Sequence, residues 1–304
     1  MALGLGTSIR TLDVLDDSAY KATHSFNFDG SDDYINLGNS WGLKQRATDT
    51  SAGVGISGAV WFKLDNVQTT GTTQNFINCI QYPGGWKMSY ENTRLTLHMN
   101  IGGATRSAAL TFSSGWRTLG TSANPLRASN WHHMGMTFDG RYLRLYLNGS
   151  LYGTTDAGSD DNFIHHDSGS PGTDTATQPA CRDINDADLL IGADPGPVTT
   201  DGSSCGISGT SSGFAPYSGY INEIAIYNKV LTEACFSEIF EAVNTSGSQL
   251  DLLQDHGNYT NSGDLVALYR GNDVDDTKAY NAANPGVYDG DMKNSLALIE
   301  QAPS

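Results

Sequence analysis

Glutamate is nearly missing from this chain. Only six of its 33 acidic residues are Glu, and Asp supplies the rest. Asp gathers in turns and at helix caps, because its short carboxylate bonds nearby backbone N–H groups. Positive charge is scarce as well: 17 Lys and Arg leave a net charge of −16, which argues against nucleic acid as a partner. No apolar run approaches the ~20 residues needed to span a bilayer, so no membrane insertion is expected. Residues 1–25 carry Arg10, Asp13, Asp16 and Asp17 and no uninterrupted apolar stretch of the secretory kind. Synthesis in the cytoplasm, with exit (if any) by another route, is the expectation. The cysteines Cys79, Cys181, Cys205 and Cys235 form no CxxC pair, which removes zinc and dithiol redox motifs. A bridge between Cys181 and Cys205 and free thiols are both open readings.

What is present is a turn-rich β composition: 35 glycines, many Ser, Thr and Asn, and only 16% charged residues. Residues 131–150, WHHMGMTFDGRYLRLYLNGS, are the most informative stretch. Leu143, Leu145 and Leu147 fall on one side of a strand and Tyr142, Arg144 and Tyr146 on the other, the period of a half-buried antiparallel strand. Asp139-Gly140 joins it to the preceding strand by a tight hairpin, and Asn148-Gly149 makes a second turn toward Leu151-Tyr152. Further strands are predicted at 25–28, 34–37, 54–64, 75–81, 86–90, 94–99, 131–138, 188–192 and 219–228. One short helix is predicted near 232–244, capped by Thr232, ended by Asn244 and Gly247, with Leu231, Cys235, Phe236, Ile239, Phe240 and Val243 on its apolar face. Residues 156–187 and 194–217 read as long surface loops.

Three motifs in order resemble the laminin-G-like, concanavalin A-like jelly rolls. Phe28-Asp29-Gly30-Ser31-Asp32-Asp33-Tyr34-Ile35 is similar to the family's opening hairpin, Trp131-His132-His133 with the following Asp-Gly hairpin to its central signature, and Gly219-Tyr220-Ile221-Asn222-Glu223-Ile224 to its closing strand. The resemblance covers residues 24–245 and implies an all-β fold: a two-sheet antiparallel jelly-roll sandwich with the one helix. Residues 1–23 read as an extended arm. Residues 246–304 read as a small strand extension, with apolar runs at 265–269 and 295–299, that packs on the body or on a neighbouring subunit, since two short runs cannot build a core alone.

Catalysis finds little support. The glucanases of this family carry paired carboxylates as E-x-D-x-E on one strand, and no strand here holds that spacing. Glu223 stands alone among isoleucines. Gly53–Gly58 and Gly209–Gly213 match G-x-G-x-x-G and G-x-S-x-G outside the strand–turn–helix settings those motifs need. His132-His133 read as part of the strand signature, and His165-His166-Asp167 as a solvated loop with transition-metal binding as the alternative. Asp273-x-Asp275 lacks the Gly and terminal Glu of an EF-hand. The resemblance implies rim calcium sites, for which Asp29, Asp32, Asp33 and Asp139 are the acidic candidates, each also explicable as turn chemistry. Tyr82, Trp86, Tyr90 and Trp116 are candidates for a sugar platform, with core packing as the alternative; Trp61 and Trp131 read as core.

These features point to a non-enzymatic structural or adhesion protein. The leading expectation is a virion component of a tailed phage (capsid decoration, head fibre or tail appendage), assembled in the host cytoplasm. Its partners would be other virion or capsid proteins, further copies of itself, and host-surface glycans. The alternative is a secreted or surface carbohydrate-binding module; a glycoside hydrolase ranks last.

Overall fold

A computed structural model describes residues 22–38, 54–65, 73–79, 86–91, 94–101, 104–111, 130–156, 188–194 and 216–303. The strands, in chain order, are β1 (Ser25–Asp29), β2 (Tyr34–Asn36), β3 (Val54–Leu64), β4 (Thr73–Asn78), β5 (Trp86–Glu91), β6 (Arg94–Ile101), β7 (Ala104–Thr111), β8 (His132–Phe138), β9 (Tyr142–Leu147), β10 (Ser150–Asp156), β11 (Leu190–Ile191) and β12 (Ser218–Lys229). Helix α1 (Glu233–Ser246) follows, then β13 (Leu265–Tyr269), β14 (Lys278–Ala279), β15 (Gly290–Lys293) and β16 (Ala297–Ile299). Most of the arm, both long loops, Cys181, Cys205, the 165–167 cluster and the 209–213 motif lie outside the described residues.

Two antiparallel sheets face each other. The first runs β10-β9-β8-β3-β12-β1-β16, with β13 also on β12; the second runs β14-β15-β2-β11-β4-β5-β6-β7. Alternation decides which side chains meet between them. From β3, Val60, Phe62 and Leu64 point inward; from β9, Leu143, Leu145 and Leu147 do the same. They meet Phe76, Trp86, Met88, Tyr90, Leu95 and Leu97 of the second sheet. Phe62 and Phe76 have ring centroids 4.5 Å apart across this interface. Burying each such side chain contributes roughly 1.5–3 kcal/mol.

The opposite parity of the first sheet faces α1. Ala59, Tyr146, Ala225 and Tyr227 pack against Phe236 and Ile239 in a second apolar cluster. The helix begins where Thr232 accepts a hydrogen bond from the Cys235 backbone N–H at 3.2 Å. It ends where Gly247, at φ 68°, donates its N–H to the Val243 carbonyl. The positive φ is why glycine stands there.

The C-terminal residues contribute strands to both sheets. β13 lies against β12 over Ile224–Tyr227, β16 lies against β1, and β15 pairs β2. β12 therefore carries β3 along one edge, and β1 and β13 in tandem along the other. Strands β7, β10, β14 and β15 go beyond the sequence expectation, and the 188–192 strand shrinks to Leu190–Ile191.

Candidate functional site: a groove on the outer face of the first sheet

Beyond the C-terminal end of α1, the first sheet is left partly uncovered. A groove of about 840 Å³ opens there. Trp61 and Trp131 line it from the sheet, Phe240 and Asn244 from α1, Gln249 from the segment after the helix, and Gln301 from the chain's tail. Trp61 has the outward parity of β3 and stacks on Phe240 with centroids 5.8 Å apart and planes at 21°. The tail arrives because β16 pairs β1, and the Ser25 hydroxyl then donates to the Gln301 carbonyl.

Several buried polar side-chain atoms lie beneath the groove. The indole N–H groups of Trp61 and Trp131 are buried and find no acceptor among the described residues. Gln249, almost fully buried, donates its side-chain amide to Glu223 Oε2 at 3.4 Å, while Gln249 Oε1 and Glu223 Oε1 have no partner among the described residues. Leaving such groups unmade costs about 1–3 kcal/mol each. Glu223 is the extra residue where the β12–β3 register shifts between Asn222 and Ile224, which lets Ile221 and Ile224 both keep the core face. Burial pushes its carboxyl up to about 8, against the pull of Arg270, so it is largely protonated at neutral pH. Arg270 itself is engaged by Asp273 at 2.7 Å and Asp251 at 3.3 Å. His133, between Trp61 and Phe236, is held neutral by burial, its pKa lowered to about 3.

The structure corrects the platform expectation. Trp86 and Tyr90 are 0% and 1% exposed and pack between the sheets. Their shared parity on β5 is the core face, so no sugar ring reaches them. Tyr82 and Trp116 lie outside the described residues. The calcium set is also divided. Carboxylate oxygens of Asp29, Asp32 and Asp33 all lie within 4.8 Å of one another. An all-oxygen donor set of this kind suits a hard cation, although Asp33 Oδ2 already accepts from the Asp29 N–H at 3.1 Å. Asp139 belongs elsewhere. Asp29 pairs Ser218 at the start of β12, whereas Phe138 pairs Ile56 beside the far end of β12. At ~3.3 Å per residue the two turns are about 30 Å apart. Asp139 holds its own hairpin, accepting from the Arg141 and Tyr142 N–H groups and from Arg144.

Residues 29–173, just under half of the chain, match the family model of the concanavalin A-like lectin/glucanases superfamily. That segment belongs to this superfamily. No curated protein matches the chain in sequence. Among solved structures, a Bacteroides ovatus protein described as a "putative carbohydrate binding protein" is similar over 93% of this chain, at 15% identity and a TM-score of 0.52. This chain spans 62% of that protein's length. The SAP-like pentraxin of Limulus polyphemus is similar over 72% of this chain and 82% of its own, at 13% identity and TM-score 0.41. Domains LG4-5 of the mouse laminin alpha1 chain are similar over 68% of this chain and 42% of theirs, at 10% identity and TM-score 0.39.

In this β-sandwich the groove residues were the ones sequence reading missed. Trp131 reads as core, yet it is only half buried and lines the opening. Gln249 falls in no motif. One signal was available: Trp61 shares strand parity with Lys63 rather than with Phe62, which marks the outer face.

Proposed function

We propose that this protein is a non-catalytic glycan-binding module and that the groove beside α1 is where it binds. The observation that carries the reading is one opening of about 840 Å³ that brings the part-exposed rings of Trp131 and Phe240 together with the carboxamides of Asn244 and Gln301. Sugar rings present C–H faces to aromatics and hydroxyls to such groups. The superfamily contains both lectins and glucanases, so the chemistry of the site has to choose. Glycoside hydrolysis needs two carboxyls flanking the scissile bond. Here Glu223 is sealed beneath Gln249 at 2% exposure. A glycan array, run with and without calcium, tests the reading; binding of at least one glycan class is expected, and a blank array in both conditions removes it. Turnover of a β-glucan that disappears in Glu223→Gln would restore the hydrolase.

In the same reading the module is carried on the particle of a tailed phage, beside other virion proteins and further copies of itself. What supports that placement is the family resemblance together with the apolar arm of residues 1–23, whose sequence reads as built for a neighbour. Mass spectrometry of purified particles checks it: the chain is expected as a stoichiometric component.

A further inference from the structure

We propose that the groove selects uncharged oligosaccharides and rejects sialylated, uronic and sulfated ones. The inference rests on the glycan-binding reading and adds the ligand class. Three observations carry it.

The first is donor–acceptor logic. The exposed side chain of Asn244 and the part-exposed one of Gln301 in the lining are carboxamides, each of which both donates and accepts. A hydroxyl does both as well, so one class of ligand group pairs with either end of each amide. A carboxylate or sulfate accepts from their N–H groups but has nothing to give their carbonyls.

The second is charge. Anionic sugars are held by arginine forks or clustered cations. Lys63 is the one Lys or Arg among the described lining residues, and Glu300 lies in the same lining. The Lys63 ammonium is also drawn over the Tyr220 ring, 5.3 Å from its centroid. Arg270, nearby in the interior, is already held by Asp251 and Asp273. The adjoining depression along α1 adds Glu238 and Glu241.

The third is size. A volume of about 840 Å³ lies in the upper part of the usual ligand-site range of ~300–1,000 Å³. Such a space takes a short chain of sugar rings rather than one.

The experiment uses the full chain with mannotriose, cellotriose and N-acetyl-lactosamine as neutral probes, and sialyllactose and a sulfated disaccharide as anionic ones. Binding is followed by calorimetry and by tryptophan fluorescence at low and high salt. At least one neutral probe is expected to bind, quench fluorescence, and show a Kd unchanged by salt. Trp131→Ala is expected to weaken it at least tenfold. Because that change also removes a half-buried ring, Asn244→Trp serves as the second variant: Asn244 is exposed on α1, and the larger side chain fills the groove without entering the core. Anionic probes binding as tightly as neutral ones, or a strongly salt-dependent Kd, overturns the inference and leaves glycan binding standing. Neutral binding untouched by both variants, with melting curves intact, moves the site elsewhere and also overturns it. If no probe binds and a broader array is blank, the underlying functional reading falls with it.

Discussion

Gln249 donates to Glu223 at 3.4 Å beneath the groove, and this weak hydrogen bond is the only one recorded for either side chain among the described residues. Glu223 keeps its proton to about pH 8, because burial penalises the charged form more than Arg270 helps it. The folded pKa lies above the unfolded value of about 4.5, so between those two pH values the unfolded state releases a proton that the folded state retains. The contribution of Glu223 to stability therefore declines as pH rises from about 4.5 to about 8, by up to ~1.4 kcal/mol per pH unit. Glu223→Gln mimics the protonated acid. Its urea midpoint is expected to match wild type near pH 4.5 and to exceed it at pH 8. A variant equally or less stable at pH 8 shows that the carboxylate is accommodated after all.

Asn281 anchors the C-terminal extension. Its side-chain carbonyl accepts from the Leu268 and Ala283 N–H groups, and its amide donates to the Val266 and Val287 carbonyls. Asn281→Ala strands several buried backbone groups at about 1 kcal/mol or more each. We expect a loss of about 3 kcal/mol by chemical denaturation. Hydrogen exchange should rise first in β13 and the 281–289 turn; uniform exchange across both sheets would deny a separate anchoring role.

Much of the sandwich was legible because its signals are local. The Leu143, Leu145, Leu147 alternation, the Asp139-Gly140 turn, and the Thr232 and Gly247 caps each report on a few adjacent residues, and the structure keeps all of them. Strands β14 and β15 have no pattern of their own to read. Their two to four residues are held by pairing with each other and with β2. The site was less legible for a related reason. Trp86 and Tyr90 share a face whether that face is wet or buried, and only the opposing sheet decides. Asp29 and Asp139 both precede a glycine in a turn, and nothing local tells that the turns sit at opposite ends of β12. The groove gathers residues from Ala22 and Thr23, just before β1, to the tail, which no single motif spans.

Asp29, Asp32 and Asp33 crowd one turn, and burial together with the charges on Asp29 and Asp32 raises the pKa of Asp33 against the bond from the Asp29 N–H. A raised acid pKa means that stability declines as pH climbs through its titration. Asp32 is exposed, so Asp32→Asn removes repulsion without disturbing the Asn294 contact to its backbone carbonyl. The variant is expected to be about 0.5 kcal/mol more stable at pH 7 and no different at pH 3. Millimolar CaCl2 should reverse the ranking, because a divalent ion turns the repulsion into ligation. A wild-type melting temperature unmoved by CaCl2, against a NaCl control of equal ionic strength, ends the calcium expectation at this turn.

Gly135 on β8 lies directly under Phe236 of α1. A Cβ there would sit 2.5 Å from Phe236 Cε1 and 2.7 Å from Cδ1. The Phe236 ring cannot swing aside, since it is stacked on Tyr146 at 4.4 Å and is fully buried. Gly135→Ala must then push the helix outward, at the usual overpacking cost of about 1–3 kcal/mol. Phe236→Leu alone leaves a partial void and is also destabilising. Combined, the smaller side chain makes room for the added methyl, so the double variant is expected to be more stable than the sum of the two losses predicts. A double-mutant cycle by urea denaturation measures this coupling. Strict additivity would mean that Gly135 is needed for its backbone and not for the closeness of the helix. Because α1 supplies one wall of the groove, a displaced helix should weaken glycan binding in Gly135→Ala and regain it in the double variant.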